Sequence, residues 1–373
     1  MAATICRRAS DRQFSDWGRE GVLLREDGAL QLDAELAAPG NDPYPQGQYE
    51  GHSFYNGGGF FVGEAVSPEA ESPFGFSEVI PSWNADTPRE TWIEVQLRAK
   101  IDGRWTRWYN MGVWSADRAT IRRHSVGGQG DDDGNVFTDT LALRDGKTAS
   151  AFQIKLRLFS ESRHITPVIQ SVCLALSTAS CAPEKLATGD PRKWNALLGV
   201  PQYSQMVYPD GGRVWCSPVS ISMVMAYWEG ALESQPEERV RAAVDGVYDS
   251  VYDGHGNWAF NAAYAGSAGK LQAHIARFTS MAEMEPWIAA GVPVVFSYAW
   301  GKDELAGAPV PSSDGHLAVV VGFDGSGNPI VNDPAAPDDA TVQRTYPREE
   351  LEKLWLQHSG GTVYLIYPPD HLG

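Results

Sequence analysis

A thiol, an imidazole and a carboxylate follow one another in the second half of this chain, in an order suited to acyl transfer. Cys216 lies in Val214–Pro218 (VWCSP), His316 stands 100 residues later after Asp314 and Gly315, and Asp333 comes 17 residues after that, before Pro334. Together they would supply a nucleophile, a base and a group to orient the base. Pro218 suits the first turn of a helix, with Ser217 as its N-cap. Ile221, Val224, Met225 and Trp228 recur at helical spacing, and Gly230 provides a stop. Cys216 is therefore expected immediately before an amphipathic helix, where unpaired N–H groups and partial positive charge favour thiolate over thiol. The bland alternative is a buried thiol acting as a small hydrophobe, the commoner fate of a lone cysteine.

The apolar run Leu317–Phe323 is too short for a helix and reads as a buried strand. Asp324–Asn328 is a turn cluster, and Pro329–Asp333 resumes extended structure. The midpoint of 316 and 333 is 324.5, so a turn centred near Asp324 and Gly325 would set His316 and Asp333 face to face, about 4.5–5.5 Å apart at Cβ. Centring on Ser326 would make them a diagonal pair, still within side-chain reach. Taken separately, a His after Gly and an Asp before Pro are ordinary turn residues. His255 is a rival base, but no acid on an adjacent strand partners it.

Four segments in combination resemble the bacteriocin-processing-type cysteine peptidases, and more closely their stand-alone, transporter-free branch. They are Gly199–Gln205 (GVPQYSQ), Trp215–Pro218 (WCSP), Gly315–Phe323 (GHLAVVVGF) and Val331–Pro334 (VNDP). The resemblance covers roughly residues 195–370. It implies a papain-like fold with Cys216 as nucleophile, His316 as general base, Asp333 as orienter and Gln205 as oxyanion donor. Two departures stand out. Ser217 follows the nucleophile where the family often has Gly, and the stretch from Met206 to Trp215 is longer than in transporter-linked members, which leaves Gln202 as a competitor to Gln205.

Composition sets the outer bounds. A chain of 373 residues with 43% apolar content accommodates two domains with real cores. A net charge of −17 argues against nucleic acid and against anionic membranes, and no apolar stretch reaches the length of a transmembrane helix. The first residues contain no signal-peptide-like hydrophobic stretch. Because the resembling branch is commonly exported, a secreted or cell-envelope location is the expectation, with the cytoplasm as the alternative. Neither a cofactor nor a metal is expected, since zinc-type His and Cys spacings are absent. Four cysteines are too few for a disulfide scaffold; Cys173 and Cys181 are more readily unpaired than bridged, and Cys6 has no evident partner.

Residues 1–180 read as an all-β, jelly-roll-like sandwich. Ile93, Val95, Leu97, Ala99 and Ile101 alternate with polar residues, Asp102-Gly103 turns, and the alternation returns at Phe152, Ile154, Leu156 and Leu158, with a further strand over Val168–Leu176. Residues 181–194 read as a linker and 195–373 as an α+β papain-like peptidase domain. Trp83, Trp92, Trp105, Trp108 and Trp114 are core and hairpin packing by preference, or a stacking face for sugar or peptide, so a carbohydrate or cell-surface ligand is a candidate partner of the sandwich. The acidic turn Gly130–Asn135 with Asp139 lacks an EF-hand pattern and reads as solvated rather than calcium-binding. Gly254–Phe260 is either a groove lining or an ordered loop, and Gly301–Asp314 is a candidate lid. The leading function is a cysteine peptidase acting on a peptide or protein. An acyl- or peptidyl-transferase using the same acyl-enzyme is one alternative. The other is a binding protein whose sandwich does the work.

Overall fold

The computed structural model describes residues 1–42, 44, 54–178, 186–230, 236–267 and 270–371. The chain forms two compact units, one of Ala3–Ala179 with Tyr248–Gly269, the other of Ser180–Val247 with Lys270–Gly373.

In the first unit the period-two pattern folds as the alternation dictates. Ile93, Val95, Leu97, Ala99 and Ile101 of the strand Thr91–Ile101 are buried, whereas Gln96, Arg98 and Lys100 are half-exposed. Glu94 breaks the alternation. It is buried and accepts from Tyr55 Oη, Asn110 Nδ2 and, at 2.7 Å, Arg157. Asp102 and Gly103 both adopt positive φ, as a two-residue hairpin turn requires, and Arg104 pairs with Ile101. The strand Ala149–Ser160 runs antiparallel to Thr91–Ile101, and Val168–Ser177 pairs with Glu78–Asp86 in another sheet. Among the described residues these sheets hold eight and seven strands and share one core, which includes Val95, Leu156, Val172 and Leu174.

Trp83, Trp92 and Trp114 are fully buried in this unit, so the five tryptophans do not form one stacking face. Trp105 and Trp108 stay half-exposed, with the Arg98 guanidinium 4.6 Å from the centre of each ring. The acidic turn is tied into the fold: Asp133 forms a two-pronged ion pair with Arg104, and Asp131 accepts from Tyr109 Oη at 2.6 Å. The cysteine expectation needs correction. Cys173 is bonded to Cys6, joining the first strand, Ala2–Arg8, to Val168–Ser177, with which it also pairs; Cys181 lies outside the described residues.

The single-domain reading of 195–373 also needs correction. Residues Tyr248–Gly269 belong to the first unit, where the helix Trp258–Ser267 buries Ala259, Phe260 and Ala263 in the sandwich core. Phe260 meets Trp114 at 5.3 Å and Trp83 at 6.2 Å between ring centres. The physical reason is the helix composition: its apolar residues are too many for one solvent-facing surface, and the sandwich covers them. The Gly254–Phe260 tract and His255 thus lie in the first unit.

The second unit is built on an antiparallel sheet ordered Gln272–Arg277, Thr362–Tyr367, Val294–Trp300, Ser313–Phe323, Pro329–Asn332, Gln343–Thr345. Ala196–Leu197 adds to Ser313–Phe323. The helix Cys216–Trp228 is buried on nearly all sides, from Ser217 to Val224 and at Ala226, so it is a core helix and not an amphipathic one. Its Ser220 hydroxyl bonds Leu317 O at 3.1 Å, fixing it against the His316 strand. Residues 181–194 are not a free linker where described. Asp190 N donates to the buried Glu285 carboxylate at 2.6 Å, Trp194 Nε1 does so at 2.9 Å, and Arg348 completes the ion pair at 2.8 Å. Residues 181–185 of that segment lie outside the described residues. The proposed lid begins as a packed loop and ends in a strand: Leu305 is buried, Trp300 Nε1 bonds Val310 O, and Ser313 and Asp314 already belong to Ser313–Phe323.

Candidate active site

Cys216 occupies the first position of its helix, with Trp215 at the N-cap and no side-chain cap. Ser217 is therefore not the cap. Its hydroxyl instead meets Tyr364 Oη at 3.2 Å. Just upstream, Gly211 takes a φ of 154° against the Trp215 indole, and Gly212 approaches the Gln205 carbonyl so closely that no Cβ would fit. That glycine pair lets the chain turn into the helix and leaves the Cys216 thiol half-buried at its N-terminus. Among the described residues it is the free cysteine.

His316 and Asp333 come together, though not by the facing register. Val319 pairs with Asn332 and Val320 with Val331, a bulge follows, and Gly322 pairs with Ile330. The turn is thus centred near Ser326, and Asp333 sits diagonally from His316, two residues short of opposition. Side-chain reach closes the gap: His316 Nε2 to Asp333 Oδ1 is 2.8 Å, with both residues buried. Cys216 and His316 act on one another through charge and a side-chain hydrogen bond. Asn332, the alternative orienter, points elsewhere and donates to Val200 O and Pro201 O.

The electrostatics follow from burial opposed by charge. Burial alone would push the Cys216 thiol up. The hydrogen bond and charge of His316, with the N–H groups of Leu317 and Ser217, instead hold it below the ordinary thiol range. Burial alone would lower His316, but the Asp333 carboxylate and the Cys216 sulfur lift it to about 10. Asp333 would be raised by burial. The His316 charge and hydrogen bond, Tyr346 and the Ala335 N–H hold it at about 2. The pair Cys216–His316 is thus favoured as thiolate and imidazolium.

Gln205 opens a helical turn, Gln205–Val207, and is buried. Its N–H donates to Pro334 O at 2.8 Å, next to Asp333, and its carbonyl lies against Gly212 on the approach to Cys216. Its side-chain Oε1 is buried with no hydrogen-bond partner among the described residues, so the amide is not committed to holding the fold. Gln202 is committed: its Oε1 accepts from Gln343 N at 3.3 Å at the sheet edge.

Sequence reasoning missed two residues. Tyr298 and Tyr346 both donate to Asp333 Oδ2, at 2.8 and 2.6 Å. Tyr298 pairs directly with His316 across the sheet, so its place at the end of an apolar run beside the His316 strand was the available signal. Tyr346 arrives through the strand Gln343–Thr345, and nothing local marks it. Among the described residues no group of three or more His, Cys, Asp or Glu side chains is arranged to hold a metal.

A thiol held below its ordinary range beside a buried imidazole–carboxylate pair is an arrangement that suits thiol-hydrolase chemistry. Comparison with known proteins agrees with that class. Residues 197–363 match the Peptidase_C39 like family and residues 4–177 the Peptidase C39 N-terminal domain, so the chain resembles a stand-alone C39-like peptidase. No curated protein matches it. Among solved structures, a putative C39-like peptidase from Bacillus anthracis is 16% identical over 46% of this chain and 96% of its own, with a TM-score of 0.33. TmCBM61 in complex with beta-1,4-galactotriose is 10% identical over 45% of this chain and 93% of its own, with a TM-score of 0.22. The xylan-binding module CBM15 is 14% identical over 39% of this chain and 99% of its own, with a TM-score of 0.18.

Proposed function

We propose that this chain is a cysteine peptidase with a papain-like active site in its second unit, cleaving peptide or amide bonds through Cys216, His316, Asp333 and Gln205. The observation that carries the reading is the His316 ring, bonded to Asp333 at 2.8 Å through Nε2 and coupled electrostatically to the Cys216 thiol. The Cys216 thiolate attacks the scissile carbonyl carbon, and the carbonyl electrons move to oxygen. The Gln205 amide N–H and the Cys216 backbone N–H stabilise that oxyanion; losing one such donor typically costs about 10²–10³ in rate. Collapse of the intermediate expels the amine, which takes the proton from His316 and leaves an acyl-thioester. Water, deprotonated by His316, then releases the acid and restores the thiolate. An amine in place of that water would make the enzyme a transferase by the same steps.

The remaining parts fit an exported enzyme. The Cys6–Cys173 bond favours an oxidising compartment, hence secretion or the cell envelope. The half-exposed Trp105 and Trp108 with Arg98 between them are the part of the sandwich suited to a carbohydrate or cell-surface ligand.

Limiting iodoacetamide at pH 6, followed by peptide mapping, tests the site. Cys216 is expected to take the label, and Cys216→Ser to lose about 10³-fold or more in kcat/KM on a cleaved peptide. Cleavage that survives in Cys216→Ser would sink the reading. If added amines are incorporated in preference to water, the transferase form replaces the peptidase.

A further inference from the structure

Resting on that reading of the site, we infer that Tyr298 and Tyr346 are positioning residues that act through Asp333, fixing which carboxylate oxygen faces His316 and setting the pH range over which the thiolate–imidazolium pair persists. Asp333 is buried and accepts on both oxygens. Oδ1 takes His316 Nε2 at 2.8 Å and Ala335 N at 2.9 Å, while Oδ2 takes Tyr298 Oη at 2.8 Å and Tyr346 Oη at 2.6 Å. With Oδ2 occupied by two hydroxyls the carboxylate cannot rotate away from His316 without abandoning both bonds. The hydroxyls reach it from separate elements. Tyr298 comes from Val294–Trp300, stacked between Phe296 at 4.6 Å and Trp300 at 5.1 Å, and Tyr346 from the segment after Gln343–Thr345. The rings are therefore held by packing as well as by the bond.

The charged and titratable groups around Asp333 are few. His316 and, through it, Cys216 face it from one side, the two tyrosines from the other, and Arg344 acts on Tyr346. Both tyrosines are held above their ordinary range, by burial first and then by the Asp333 charge, so they remain donors throughout. Each hydroxyl turns the positive end of its dipole towards the carboxylate. Removing a hydroxyl leaves the carboxylate less compensated and makes the potential at His316 and Cys216 more negative. A more negative potential makes both the imidazolium and the thiol harder to deprotonate. Both titrations therefore move to higher pH.

The test is the pH profile of Cys216 alkylation by iodoacetamide in the full-length protein, in Tyr298→Phe, Tyr346→Phe and the double variant. Phenylalanine keeps the ring packing, and thermal melts verify folding of each variant. The wild type is expected to show an acid limb below the ordinary thiol range and an alkaline limb near the His316 value of about 10. Each single variant is expected to shift the acid limb, and with it the alkaline limb, upward by roughly half a unit to one unit, and the double variant by more. A fall in rate with both limbs unmoved would mean that the hydroxyls matter only for packing, and overturns the inference. A downward shift also overturns it. Either single variant suffices should the double fail to fold. A wild-type Cys216 that reacts no faster than a free model thiol at pH 6 would instead strike at the proposed function itself, which separates the two failures.

Discussion

At the scale of single residues, the site turns on a carboxylate with no solvent and no spare valence. A buried Asp333 that accepts from an imidazole, a backbone N–H and two phenols is fixed as an anion, and its folded value near 2 follows from those donors. Asp333→Asn replaces one acceptor oxygen by a donor that must face either the two tyrosine hydroxyls or His316. The imidazolium also loses its counter-charge. His316→Ala should abolish cleavage, because His316 is the base that acts on the Cys216 thiol. Asp333→Asn should lower kcat/KM by about 10- to 10³-fold, less than the ~10⁴ seen in serine triads, because a thiol ionises more readily. A folded Asp333→Asn with full activity would rule out the orienting role. Types and order of Cys216, His316 and Asp333 were legible in the sequence, since each sits beside a local signal: a helix start, a strand start, a proline. Tyr298 and Tyr346 were not read as part of the site, because they act through tertiary proximity: the apolar run ending at Tyr298 marks a strand but not its partner, and nothing local marks Tyr346.

Elements were legible in kind and less so in register. Alternation over Ile93–Ile101 and over Phe152–Leu158 gave strands with the buried faces it implies. The hairpin joining His316 to Asp333 existed as read, yet the turn cluster Asp324–Asn328 could not say where the turn was centred, and the bulge after Val320 moved the pair to a diagonal. The helix Trp258–Ser267 was hidden for another reason: its apolar residues signal burial but not what buries them. At its start Asn257 Oδ1 accepts from Phe260 N as an N-cap, and the buried Asp139 accepts from Trp258 N at 2.5 Å. Burial pushes the Asp139 carboxyl up to about 6, offset in part by the Trp258 N–H and Thr140. The folded state therefore binds this proton more tightly than the unfolded chain, whose carboxyl lies near 3.8. Its contribution to stability is present at low pH and is lost as pH rises through about 6, up to about 3 kcal/mol in all. Urea melts at pH 5 and 7.5 should show wild type gaining stability at the lower pH relative to Asp139→Asn. An equal pH response in both proteins would remove Asp139 from the account.

For the whole molecule, chain order and compact units do not coincide. The stretch matching the C39-like family runs continuously over residues 197–363, yet Tyr248–Gly269 within it belongs to the first unit. From sequence, residues from about 190 onward would be expected to fold alone, since residues 181–194 read as a linker between two domains. The structure argues otherwise. In a fragment covering 190–373, Ala259, Phe260 and Ala263 lose the sandwich core that covers them, and Asp249 loses the Ser125 N–H it accepts at 3.0 Å. Burying a side chain such as Phe260 is worth about 1.5–3 kcal/mol, and truncating one in a packed core costs about 3–5 kcal/mol. Set against a typical total of 5–15 kcal/mol, exposing the whole helix face is a large fraction of stability. The fragment is therefore expected to bind a hydrophobic dye and to melt without a sharp transition, and the full chain is expected to do neither. Phe260→Ala in the full chain should destabilise it by about 3–5 kcal/mol while leaving Cys216 alkylation at pH 6 unchanged in the folded population. A fragment that melts cooperatively and binds no dye would show that the helix is an accessory of the sandwich, and that the second unit stands without it.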